Sequence, residues 1–150
     1  MSAQAIADCQ DFEQSVIRRE FVEIKGGNRA MVVDDSRAMR MILRKTLTQI
    51  GYDVCDAGNG AEAMALLEKG ESGLSLMLVD WNMPVMCGLD LVKAVRSNER
   101  YSTITMIMVT TETEIQHISD ALEAGASEYV MKPFTSDALQ DKLVTLNLVQ

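Results

Sequence analysis

The chain has 150 residues, 47% hydrophobic and 24% charged, proportions that suit one soluble globular domain able to bury a real core. Fourteen basic against 22 acidic residues give a formal charge of −8, which argues against sequence-independent nucleic-acid binding because that needs cations against phosphates. No apolar run reaches the roughly 18–20 residues of a membrane span, and no basic-then-apolar leader opens the chain, so neither nucleic acid nor membrane is an expected partner.

The cysteines Cys9, Cys55 and Cys87 are odd in number and lack metal-ligand spacing. A reducing, cytoplasmic setting without a disulfide framework is expected. From Arg29 onward two periods alternate. "AMVV" (30–33) is a short apolar strand ending at Asp34-Asp35. Ser36 caps a helix with Met39, Ile42, Leu43, Leu47 and Ile50 inward, stopped by Gly51. "YDVCDA" (52–57) is the second strand. Asn59 opens a helix with Ala61, Met64, Ala65 and Leu67 inward, stopped by Gly70. Residues 74–80 form the third strand, and a helix follows from about Leu89 to Arg96. "TMIMVT" (105–110) is the fourth strand. A helix over 114–124 turns Ile115, Ile118, Ala121 and Leu122 to one face. "SEYVM" (127–131) is the fifth strand, and a last helix follows Ser136 with Ala138, Leu139, Leu143 and Leu146 inward. Five β–α pairs define an α/β fold, a doubly wound five-stranded parallel sheet with helices on both faces.

In such a sheet the polar residues that end the strands share one edge, where open α/β sheets bind ligands. Asp34 and Asp35 end the first strand, Asp80 the third, Thr110 the fourth and Lys132 the fifth. Three carboxylates, a hydroxyl and an ammonium therefore converge. Clustered carboxylates repel and take up protons unless a cation intervenes. Hard oxygen donors suit Mg²⁺, which commonly shares its site with phosphate oxygens. A carboxylate can attack phosphorus to give an acyl phosphate, and such transfer depends on positioning and charge neutralisation. Asp80 is the expected nucleophile.

The motifs "VVDDS" (32–36), "LVDWNMPVMCG" (78–88), "MVTTE" (108–112) and "AGASEYVMKPF" (124–134) resemble the receiver domains of two-component response regulators over roughly residues 29–148. Trp81-Asn82 and Tyr129 resemble the choices of that family's chemotaxis regulators. The resemblance implies a flavodoxin-like receiver fold with strand order 2-1-3-4-5. It implies a phosphoacceptor signalling protein, not an enzyme, that catalyses its own phosphorylation and dephosphorylation. Asp80 would take phosphate from a sensor histidine kinase, with Mg²⁺ held by Asp34, Asp35, Asp80 and the backbone carbonyl of Asn82. Lys132 would pair with the phosphate, Thr110 would move to hydrogen-bond it, and Tyr129 would swing inward. That motion alters the face of the fourth helix, fifth strand and fifth helix, where a downstream target docks: the flagellar switch protein if signalling is chemotactic. Asn82 and Glu112 would set water access, hence dephosphorylation, and a phosphatase is a further partner. The Lys132–Pro133 bond is expected to be cis.

Two features depart from the pattern. Cys87 stands where the family usually has an acidic helix cap, and thiols accept poorly. Residues 1–28 form an N-terminal extension before a receiver domain at 29–150; Ile6, Cys9, Phe12 and Val16 share one helical face, and "FVEI" (21–24) alternates. No output domain follows Gln150, so output by protein–protein contact is expected. A phosphate sink or adaptor in another two-component pathway is the alternative. A flavodoxin-like cofactor binder is more distant, because Asp34-Asp35 would repel a flavin phosphate.

Overall fold

The computed structural model describes residues 27–70, 74–111 and 117–148. Strands β1 (Arg29–Val33), β2 (Asp53–Ala57), β3 (Leu74–Asp80), β4 (Thr105–Thr110) and β5 (Glu128–Met131) alternate with helices α1 (Arg37–Ile50), α2 (Gly60–Glu68), α3 (Gly88–Arg96), α4 (Ile118–Ala124) and α5 (Ser136–Thr145). All pairings are parallel, and the strand order is β2-β1-β3-β4-β5. The expected fold is therefore the observed one. The helix expected over 114–124 is seen from Ile118; residues 114–116 with Ile115, the N-terminal positions Ile6, Cys9, Phe12, Val16 and 21–24, and Glu112 lie outside the described residues.

Side chains alternate across each strand, so the apolar runs feed two cores. Met31, Val33, Met77, Val79, Met106 and Met108 pack beneath α2, α3 and α4. Ala30, Val32, Leu76, Leu78, Ile107 and Val109 pack beneath α1 and α5, where Leu43, Leu47, Leu139 and Leu143 cover them. Burial on both faces explains why these strands read as continuous hydrophobic runs.

Local signals act as the sequence suggests. Ser36 Oγ accepts from the Met39 amide at 3.2 Å, and Asn59 Oδ1 from the Glu62 amide at 2.9 Å. Gly51 ends α1 at φ 126°, a backbone geometry that side chains disfavour. Thr135, just before α5, caps that helix through Oγ1 to the Ala138 amide at 3.0 Å. The Lys132–Pro133 bond is cis.

Some inward faces differ from expectation. In α2 the buried set is Gly60, Ala63 and Leu67, with Met64 half-buried, while Ala61 and Ala65 are exposed. Several alanines lie close together there, and periodicity cannot say which meets the sheet. In α1 the core stripe is narrower than expected: Ile42 is 58% exposed at its rim. Leu122 of α4 and Ala138 of α5 also face outward. Cys55 and Cys87 form no disulfide among the described residues. No helix of the described residues is long and apolar enough to cross a membrane.

Candidate functional site

The carboxyl edge of the sheet is pinned by backbone bonds between neighbouring strand ends. The Asp34 amide donates to Ala57 O at 3.1 Å, Trp81 N–H to Val109 O at 3.2 Å, and Lys132 N–H to Thr110 O at 2.7 Å. These bonds bring strand-end residues from across the sheet to one site. Lys132 Nζ lies 3.3 Å from Asp80 Oδ1 and 3.6 Å from Asp34 Oδ2. Asp34 is 1% exposed and Asp80 7% exposed, while Asp35 projects outward. One oxygen from each of Asp34, Asp35 and Asp80 falls within 4.8 Å of the others.

Asp34 is oriented by the loop that follows it. Its Oδ1 accepts from the Ser36 amide at 2.9 Å, and Arg40 Nη1 donates to its backbone carbonyl at 2.6 Å. Arg40 is in turn held by Asp56 at 2.8 Å. That leaves Asp34 Oδ2 buried without a hydrogen-bond partner among the described residues. A buried anionic oxygen met only by the Lys132 ammonium at 3.6 Å among the described residues remains costly, and beside two further carboxylates it suits a hard divalent cation such as Mg²⁺. The donor set fits the metal.

Electrostatics agree with this arrangement. Burial raises the Asp80 carboxyl to about 6; Asp34, and more weakly Asp35, add to the rise, while Lys132 opposes it. Burial alone would lower Lys132, yet the charges of Asp80 and Asp34 outweigh it and raise the ammonium. The edge holds more negative charge than one lysine neutralises.

Thr110 is fully buried at the end of β4, its Oγ1 donating to Thr111 O at 3.3 Å. Asn82 is exposed, two residues past Asp80. Tyr129 is half-buried on β5, opposite Met108 in the register. Its ring meets Lys142 Nζ at 5.0 Å from the centroid. Trp81 stacks on His117. Gly88 is required where α3 begins, because a Cβ there would sit 2.5 Å from the Asp80 carbonyl oxygen. Cys87, the N-cap of α3, makes no side-chain cap bond. Val85 holds a left-handed backbone at φ 69° and is 82% exposed. Arg40, His117 and Lys142 went unrecognised from sequence, since each acts through a partner on another element or in a separate loop.

A doubly wound parallel sheet carrying three carboxylates and a lysine on its carboxyl edge defines a phosphoacceptor class of α/β protein. The family model described as response regulator receiver domain matches residues 30–144, and the chain belongs to that family of two-component signalling domains. The chemotaxis protein CheY homolog of Campylobacter jejuni is 47% identical over 114 residues, 75% of this chain and 87% of the relative. The chemotaxis protein CheY1 of Helicobacter pylori is 46% identical over 114 residues, 75% of this chain and 91% of the relative. Among solved structures, the chemotaxis response regulator CheY4 of Vibrio cholerae superposes with a TM-score of 0.73 at 34% identity, covering 80% of this chain and 98% of that one. The cofactor-binding alternative is thereby set aside.

Proposed function

We propose that Asp80 accepts a phosphoryl group from a sensor histidine kinase in the cytoplasm, and that the phosphorylated domain, residues 29–150, engages a target protein through the α4–β5–α5 face. The observation that carries this reading is the single ammonium of Lys132, 3.3 Å from Asp80 and 3.6 Å from Asp34. A carboxylate oxygen of Asp80 forms the new P–O bond as the P–N bond of a phosphohistidine breaks. Lys132 then gains a phosphate oxygen in place of part of its carboxylate contact. Thr110 supplies a hydroxyl donor to the same group, and Tyr129 follows its movement. Asp34, Asp35, Asp80 and the backbone carbonyl of Asn82 would hold Mg²⁺, which when bound neutralises charge shared by carboxylates and phosphate. Asn82 and Glu112 govern the approach of hydrolytic water, so the domain also catalyses its own return to the unphosphorylated state.

The names of the chemotaxis relatives support a place in chemotaxis-type signalling, with a flagellar switch protein as target and a phosphatase as a further partner. Residues 1–28 are an extension outside the receiver domain. Intact-mass measurement with acetyl phosphate, with and without Mg²⁺, tests the acceptor: one phosphoryl group is expected on wild type and none on Asp80→Ala. Equal labelling of both would refute the assignment. A pull-down with and without beryllofluoride then separates a switched target from a phosphate sink, which would show no state-dependent partner.

A further inference from the structure

The surface around Tyr129 contains an arrangement that the phosphoacceptor site does not require. Glu128 Oε1 accepts the backbone N–H of Tyr129 at 3.0 Å, while Oε2 of the same carboxylate lies 3.5 Å from Lys142 Nζ. That ammonium also sits 5.0 Å from the centroid of the Tyr129 ring. One carboxylate thus fastens both the backbone of the tyrosine and the cation over its ring. Lys142 extends from α5, a helix anchored by the fully buried Leu139 and Leu143.

We propose that Lys142 is a positioning residue for Tyr129, with Glu128 and Lys142 clasping the ring where it now sits, so that any activating movement of the ring must first give up this contact. The proposal rests on the reading of Tyr129 as a switch residue. A cation gains by facing an aromatic ring, and gains more where both are partly withdrawn from water. The 35% side-chain exposure of Lys142 and the half-burial of Tyr129 put the clasp in that regime. Moving the ring leaves Lys142 with Glu128 alone. The clasp therefore biases the unphosphorylated domain against the switched state, at a site distinct from Asp80.

The full chain labelled with 3-fluorotyrosine tests this by fluorine NMR. The protein has three tyrosines, and the buried pair Tyr52 and Tyr101 report whether a variant keeps its fold. Lys142→Met keeps the apolar stem and removes the charge, whereas Lys142→Arg keeps a cation over the ring. Without any phosphate mimic, Lys142→Met should move the Tyr129 resonance, with Lys142→Arg near wild type and Tyr52 and Tyr101 unmoved. With Mg²⁺ and beryllofluoride, half-conversion of the Tyr129 signal should need about two- to fivefold less mimic in Lys142→Met. A Tyr129 resonance indifferent to Lys142→Met, or moved equally by Lys142→Arg, would overturn the clasp. A wild-type Tyr129 signal that ignores the mimic would instead overturn the switch reading, with the mimic-free comparison still deciding the clasp.

Discussion

The indole of Trp81 lies flat against the imidazole of His117, with ring centroids 5.5 Å apart and planes inclined by 7°. One ring directly follows Asp80, the proposed phosphoacceptor, and the other sits at the start of α4. Trp81 is the chain's single tryptophan, so its emission reports this junction without interference. Mg²⁺ and then beryllofluoride should each change that emission in wild type. His117→Ala should shift the starting spectrum and destabilise the domain by about 0.5–1 kcal/mol, the scale of an aromatic pair. Emission that ignores both additions would disconnect Asp80 from its flank.

A second expectation concerns pH in metal-free protein. The Asp80 carboxyl is raised from 3.8 to about 6, first by burial and then by Asp34. The folded state therefore holds this proton more tightly than the unfolded state. The resulting stabilisation is complete below about pH 4 and is lost as pH rises through about 6. Asp80→Asn abolishes this titration. In chelator it should exceed wild type in stability above pH 6, by on the order of 1 kcal/mol after solvent screening. Urea unfolding at pH 7.5 and pH 4.5 should show the gap closing at the lower pH.

Cys87 occupies the N-cap of α3 without capping it. Cys87→Asp supplies a carboxylate acceptor for the first-turn amides and should stabilise by about 1 kcal/mol. Thermal unfolding decides it, with Cys87→Ser expected between the two. A loss of stability would mean that repulsion from the neighbouring carboxylates outweighs the cap.

Val85 carries a β-branched side chain at φ 69° and is 82% exposed, so the strained backbone gains little packing in return. Val85→Asn should gain about 1 kcal/mol, because asparagine tolerates this region. Chemical denaturation would read the change directly, and an unchanged midpoint would show that the loop already relaxes its strain.

Asn82 is small, polar and exposed beside Asp80. Asn82→Arg should slow loss of the phosphoryl group several-fold while leaving its acquisition intact. Following the phosphorylated mass over time after donor removal measures this, and an unchanged decay rate would place control elsewhere.

Much of this architecture could be read from residue order because each strand is an apolar run closed by a polar residue of a distinct kind. Asp34, Asp80, Thr110 and Lys132 mark the carboxyl edge, and a parallel sheet leaves them nowhere else to meet. Helix faces were less legible. Alanine is nearly neutral to burial, so Ala61 and Ala65 competed with Ala63 for the inward side of α2 until the sheet chose. Pairings such as Glu128 with Lys142, or Trp81 with His117, join separate elements at spacings with no period. Only the packed structure brings them together.

The pairing of Asp80 with Lys132 spans 52 residues of chain, and among the described residues β5, the strand preceding Lys132, is an edge strand that joins the sheet through β4. A ribosome therefore delivers the three carboxylates well before the cation that balances them. Until β5 docks, the carboxylates lack the Lys132 ammonium that contacts Asp80 and Asp34. The full set of charges at this edge thus assembles only when the last strand docks. On the proposed reading, a half-folded copy would lack the charge balance that a phosphoryl group needs at Asp80.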